Sequence, residues 1–330
     1  MIRKLYRVYA DPTGARYYLR RKGAEIVLLL RQWRVLTALL LAFKVGTGYD
    51  LLERYVDRTL DNRGEYAVVD IDDGELKLDL SDRGISRDLY LFRTRETHTT
   101  AIYRRELERV ERDVDGPMQI VDIGANIGYF ALTELAMTSE ETSVIAFEPD
   151  GETIQLLEEN ISRNGYQDRV TLERAAVGPK QGSATLERAT HSNLNQIQTS
   201  SIEGHHADVE STTTVSMWSL ESYLAATELE PERISVVRMD VEGYEVEIIE
   251  GMESLLTAET PLLLFLEMHP HLLSDEQTEA LLERFAAAGL EIVSVSIEGS
   301  ISILQYEERQ DVTYDDLAEI DHGYRLFLRR

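Results

Sequence analysis

The sequence predicts an α/β fold, a mainly parallel sheet with helices on both faces. Three observations carry that prediction. From residue 118 onward, short apolar runs alternate with helix-compatible stretches, the pattern of strands joined by crossover helices. The first of these runs passes through a glycine-containing turn, VDIGANIGYF (121–130), straight into a helical stretch. Twenty residues beyond Gly128 the second run ends in AFEPD, which places Glu148 at the same strand-end edge.

Taken in order, the chain divides into an arm (1–60), a hairpin with a lead-in segment (61–110) and the main domain (111–330). Residues 1–58 hold 12 Lys or Arg against 5 Asp or Glu. Inside them, AEIVLLLRQWRVLTALLLAF (24–43) is long enough to cross a bilayer. Arg31 and Arg34 near its middle would each cost roughly 2.5–3.5 kcal/mol there. They lie three apart on one helical face, so the run reads as a basic amphipathic helix. Packing on the main domain, contact with another subunit and peripheral contact with a membrane surface all stay open for it. The same arginines, with no small-residue cleavage site after them, argue against a signal peptide, so the expected location is cytoplasmic, at the membrane face if the arm docks there.

Residues 66–80 form a hairpin: Leu76, Leu78 and Leu80 alternate with Lys77 and Asp79, and Asp73-Gly74 supplies the turn. Residues 84–110 read as a polar loop leading into a helix. The strand-like runs are MQIVDIG, SVIAFEP, RVTLERAAV, ISVVRMD, PLLLFLEMH, LEIVSVSI and YRLFLRR, with helices expected over 126–137, 151–163 and 243–256. The segment 189–213 reads as a polar excursion over the site.

Composition removes several function classes. With no cysteine, disulfides, zinc–thiolate centres and cysteine nucleophiles are excluded. A net charge of −26 repels nucleic-acid phosphates, so no nucleic-acid partner is expected. Only five residues are Lys, and the acidic surface resembles that of proteins from salt-accumulating halophiles.

Gly124 and Gly128 allow a tight turn and close approach of a ligand, while Asp122 and Asn126 bring polar groups to the strand end. Glu148 is placed to accept hydrogen bonds from two ribose hydroxyls. A dinucleotide turn starting at Gly124 needs glycine at 126 and 129, where this chain has Asn126 and Tyr129. Asp122 would also repel a pyrophosphate and suits a cationic sulfonium or ammonium. The residues favour S-adenosylmethionine over NAD.

VDIGANIGYF, AFEPDGETIQLLEENISRNGY, RVTLERAAVG and RMDVEGYEVEIIEGM stand in an order and spacing that resembles the FkbM family of methyltransferases. The resemblance covers roughly residues 84–330. It implies a Rossmann-like class I methyltransferase with a seven-stranded sheet whose last strand is antiparallel, and O-methylation of a sugar or secondary-metabolite hydroxyl. It completes the cofactor set as Asp122, Gly124, Ala125, Asn126, Gly128, Glu148, Pro149, Ala175, Ala176 and Asp240. Arg238 and Arg174 depart from the family's usual Lys and Asn, and the second leaves the adenine contacts in doubt.

Methyl transfer to an alcohol needs alignment of the nucleophile and a base for its proton. Asp240 and Glu242 stand at one strand end, and Glu267 and His269 at the next with period-two spacing. His269 is the expected base, given an ordinary pKa near neutrality, with Asp240 or Glu242 orienting it. Asp240 and Glu242 equally suit helix capping. The four groups include ligand types that suit a divalent metal, which is possible but not predicted. His191, Ser192 and Asn193, with Arg83, Arg87, Arg95 and Glu96 from the N-terminal side, are candidate substrate contacts. His205 and His206 receive no role. A glycan or small-molecule substrate is expected, and the oligomeric state stays open. An NAD-binding oxidoreductase and a non-catalytic S-adenosylmethionine-binding module are the competing readings.

Overall fold

In the computed structural model of the chain, residues 65–82, 84–189, 195–198, 209–298, 306–320 and 322–330 are described. The basic arm with its run 24–43, Arg83, His191, Ser192, Asn193, His205 and His206 lie outside the described residues, as does the side chain of Arg87.

The chain begins with the expected hairpin, β1 (Tyr66–Ile71) and β2 (Gly74–Asp79), paired antiparallel with Ile71 opposite Gly74. Where a loop and one helix were expected over 84–110 there are two helices, α1 (Ile85–Phe92) and α2 (Thr97–Asp113). The main domain continues with β3 (Gln119–Ile123), α3 (Tyr129–Met137), β4 (Ser143–Phe147), α4 (Thr153–Arg163) and β5 (Val170–Glu173). Four strands follow: β6 (Ala176–Val177), β7 (Gly182–Ala189), β8 (Gln196–Ile197) and β9 (Val209–Trp218). After α5 (Leu220–Thr227) and β10 (Ile234–Met239), the helix expected over 243–256 is two short ones, α6 (Glu245–Glu250) and α7 (Glu253–Thr257). The break falls at Gly251, where a Cβ would come within 2.3 Å of the Gly178 carbonyl oxygen. The chain closes with β11 (Leu263–Met268), α8 (Asp275–Ala287), β12 (Glu291–Glu298), β13 (Tyr306–Arg309), α9 (Tyr314–Ala318) and β14 (Tyr324–Arg329).

The main sheet is mixed and has eight strands, ordered β13-β12-β14-β11-β10-β3-β4-β5. Strands β5, β4, β3, β10 and β11 run parallel, and β14 lies antiparallel to both β11 and β12. This corrects the expected seven strands: β13 adds an antiparallel edge to β12. Chain order reverses between β3 and β10, which makes their carboxyl ends the crevice of the fold. A second, four-stranded sheet (β6-β9-β7-β8) fills the span between β5 and α5. It takes in residues 209–213, which the sequence reading assigned to a polar excursion, because a ladder pairs Val209–Met217 with Gly182–Ala189.

Successive strand residues feed opposite faces of the main sheet. Val121, Ile123, Ile145, Phe147, Leu264 and Leu266 join the core beneath α5 to α8. Ile120, Val144, Ala146, Leu263 and Phe265 join the core beneath α2, α3, α4 and the hairpin. Asp122 lies two residues from Ile120 and so points into that second core.

The hairpin is fastened to α4 by side-chain amides. Asn160, fully buried, accepts from Lys77 N at 2.6 Å and donates to the carbonyls of Lys77 (3.2 Å) and Ile127 (2.8 Å). Asn164 accepts from Glu75 N at 2.9 Å and donates to the Glu75 carbonyl at 2.8 Å. Four helical residues rise about 6 Å and two strand residues about 6.7 Å, so this pair mimics a neighbouring strand along the β2 edge. Asn160→Ala leaves these buried groups unpaired and is expected to cost about 1–3 kcal/mol in urea unfolding, with the half-buried Asn164→Ala nearer about 0.5–1.5.

Candidate active site

The turn after β3 is bound to both neighbouring strand ends. Gly124 N and Ala125 N donate to the Phe147 carbonyl, each at 3.0 Å, and Asp240 N donates to the Ile123 carbonyl at 3.1 Å. Gly124 has φ +78, and a Cβ there would lie 2.2 Å from the Asp240 carbonyl oxygen. Only glycine lets β3 and β10 close to this distance. Asn126 (φ 51) continues the turn in the left-handed region, and its side chain accepts from Ile127 N at 2.8 Å.

Above this turn opens a cleft. Gly124, Ala125, Asn126, Glu148, Pro149, Ala175, Ala176, Asp240, Glu242 and Arg95 all line it, and so does Asn195 from the second sheet. Two expected cofactor contacts do not. Gly128 sits below the turn with φ +92, its Cα hydrogens toward Leu157. Asp122 is fully buried, facing the second core, with Oδ1 2.8 Å from Arg238. Of the two aspartates it is Asp240 that lines the cleft, and its Oδ2 accepts from Arg238 at 2.8 Å.

Arg238 was noted in the sequence only as a departure from a family pattern, and it organises this edge. Its guanidinium lies 4.0 Å from the Phe130 ring centroid and bridges the carboxylates of two adjacent strands. Burial works against its charge, yet Asp122 and Asp240 hold its pKa above the ordinary arginine value.

Glu148 is nearly buried. Oε2 accepts from Asn126 N at 3.1 Å and Oε1 from Asp150 N at 2.8 Å, so its carboxylate is oriented by the backbone on both sides. Burial pushes its pKa up to about 8, against the pull of these hydrogen bonds.

The expected catalytic groups do converge. His269 Nδ1 lies 2.7 Å from Glu245, and Nε2 lies 3.5 Å from Glu242 and 3.7 Å from Glu267. Glu267 in turn receives Arg325 at 2.7 Å, and Arg325 reaches Glu96 at 3.3 Å. Burial opposes a charge on His269, but the hydrogen bond and charge of Glu245, with Glu242 and Glu267, push its pKa up to about 10. Both imidazole nitrogens face carboxyl groups, surroundings that favour the protonated ring, where the sequence reading took His269 as the base. Glu242 lines the cleft in a left-handed conformation (φ 42), a strained geometry for a side-chain-bearing residue. Burial pushes its pKa up to about 7, with the His269 charge opposing and Asp240 and Glu245 adding. Glu267 reaches about 8 through burial and Asp240, against Arg325. Among the described residues, no group of three or more His, Asp or Glu is arranged to hold a metal ion.

Arg325 and Glu245 were missed in the sequence: one lies on the antiparallel strand β14, the other within a helical run where a glutamate looks ordinary. Asn195 lay inside the polar segment, without a distinguishing pattern.

The chain is similar to several known proteins. A profile of the methyltransferase FkbM domain matches residues 122–296. The hexuronic acid methyltransferase AglP of Haloferax volcanii is 27% identical over 155 residues, 47% of this chain and 56% of that protein. The match thus spans little more than half the length of that relative. Among solved structures, TYW2 of P. horikoshii in complex with MeSAdo aligns with 81% of this chain and 72% of its own, at 13% identity and a TM-score of 0.41. A SAM-dependent methyltransferase of Agrobacterium tumefaciens aligns with 81% and 70%, at 10% identity and 0.41. Nothing about the site follows from likenesses this distant. The domain match covers more than half of the chain, and the chain belongs to the FkbM family of S-adenosylmethionine-dependent methyltransferases.

Proposed function

We propose that the chain transfers a methyl group to a hydroxyl of a sugar, free or within a glycan or glycolipid. The observation that carries this is Glu242, a cleft carboxylate whose proton affinity sits near neutrality beside a charged His269. A sugar hydroxyl is a weak nucleophile until its proton is accepted, and a group that titrates near the working pH suits that task. The name of the relative from Haloferax volcanii supports a sugar acceptor.

When bound, S-adenosylmethionine supplies a methyl group activated by a positively charged sulfur. The lining of the cleft suits it: Glu148 would accept the ribose hydroxyls, Asn126 and Pro149 would flank them, and Ala175 with Ala176 would give the adenine end an apolar floor. Asp240 would face the ammonium group. Glu242 takes the acceptor's proton, and the His269 cation keeps Glu242 ionised so that it can do so. Glu245, at 2.7 Å from Nδ1, holds His269 in its charged form. The arm, with its apolar run 24–43, supports an acceptor presented at a membrane surface. Among the described residues, no helix is long and apolar enough to cross a membrane.

Glu148 must be ionised to accept two hydroxyls, so cofactor affinity is expected to climb as pH rises from about 6.5 to about 8.5 and then level. Glu148→Gln is expected to weaken binding by roughly 10–100-fold and to flatten that dependence, both read by calorimetry. An equal response to NAD would sink the cofactor assignment.

Glu242→Gln is expected to lower turnover by roughly 10²–10⁴-fold with cofactor affinity kept. Because the His269 cation lowers the Glu242 pKa, His269→Ala should move the acid limb of the rate profile above about 7. An unmoved limb in that variant, measured with methyl-labelled cofactor and fractionated glycan acceptors, rules out this pairing.

A further inference from the structure

The cleft holds two cations, and they differ in what they touch. Arg238 is committed to Asp122 and Asp240. Arg95, in the loop between α1 and α2, uses Nε to contact Glu96 at 2.8 Å. Among the described residues, its terminal nitrogens hydrogen-bond to nothing, although the side chain lines the cleft and is only 19% exposed.

The loop is built to hold this residue in place. Arg93 (φ 62) and Glu96 (φ 45) bracket it in the left-handed region, a conformation that side-chain-bearing residues adopt at a cost. Tyr129, also in the cleft, receives the Arg95 N–H at 3.2 Å and donates its hydroxyl to the Arg95 carbonyl at 3.3 Å. Thr100 Oγ1 donates to the same carbonyl at 3.1 Å. Glu96 is itself clamped by Arg325, and the two arginines overcome its burial to lower its pKa to about 2. The brace beneath Arg95 therefore stays ionised at any working pH.

Burial works against the charge on Arg95 while Glu96, Asp240 and Glu267 support it, yet no ion pair joins Arg95 to Asp240 among the described residues. Opposite charges that share a small cleft without meeting leave room for a ligand that carries both signs.

We propose that Arg95 binds the α-carboxylate of the cofactor's amino-acid end, with Asp240 facing the ammonium group beside it. This rests on the cofactor reading above and assigns a contact outside the residues matched by the family profile, which begins at 122. A planar guanidinium that lines the cleft and keeps its terminal nitrogens uncommitted suits a carboxylate held by two parallel hydrogen bonds.

The test is binding, measured by calorimetry on the full chain with three probes: S-adenosylmethionine, its decarboxylated analogue and methylthioadenosine, which lacks the amino-acid end. The wild type is expected to prefer S-adenosylmethionine over the decarboxylated analogue by about 10–100-fold. In Arg95→Gln that preference should collapse while methylthioadenosine binds as before, showing an intact nucleoside cleft. Arg95→Lys should recover part of it, since the charge remains and the fork is lost. If the wild type binds no adenosyl probe, the cofactor reading fails and this assignment with it. If the wild type binds all three but shows no preference for the carboxylate, or Arg95→Gln keeps the full preference, the Arg95 assignment alone is overturned.

Discussion

A buried guanidinium has to be paired, and the carboxyl edge of this sheet is arranged around that requirement. Arg238 is 3% exposed on the central strand β10. Losing one partner from a buried charge pair costs about 3–5 kcal/mol, so neither Asp122 nor Asp240 is free to move away from it. Asp122 comes from β3 and lies inside the core, while Asp240 lies just beyond β10 at the opening. The bridge thus ties the turn after β3 to the end of β10. Phe130, the second residue of α3, packs on the guanidinium and couples the cofactor-turn helix to the bridge.

Around that bridge the charges fall into two groups with different proton affinities. Glu96, clamped by two arginines, stays ionised. Glu148, Glu242 and Glu267 are pushed upward chiefly by burial and lie poised between about 7 and 8. His269 is held as a cation by the carboxylates around it. One buried edge therefore carries permanent charges that position groups and adjustable ones that can accept a proton. Two arginines outweigh burial at Glu96, whereas burial outweighs the single Arg325 at Glu267 and the backbone hydrogen bonds at Glu148.

The second sheet and the hairpin serve the cleft indirectly. Leu186, Asn195 and Ile197 give it a wall from the strands inserted after β5. The hairpin is pinned by Asn160 and Asn164 to α4, the helix that follows the Glu148 loop. Asn160 also reaches the Ile127 carbonyl in the cofactor turn. Local structure at some distance thereby supports the geometry of the glycine turn.

The order of strands and helices was legible in the sequence because period-two and period-3.6 apolar patterns are local properties of the chain. So were the hairpin, the glycine turn at 124, the acidic residue at 148 and the carboxylate-rich strand ends. A local pattern does not say which side of a strand faces a ligand when both sides are buried, and Asp122 shows the consequence. Its neighbours Val121 and Ile123 are as apolar as any core pair, yet the pleat turns Asp122 inward and leaves Asp240 at the opening. Nor does sequence spacing reveal how many carboxylates surround an imidazole. His269 meets Glu242 and Glu245 from the next strand's loop and helix, and that gathering decides its charge. The sequence alone determined the kind of fold and the edge where a ligand sits. Tertiary structure decided the protonation states and the pairing of arginines, since burial and charge proximity arise only between segments far apart in the chain.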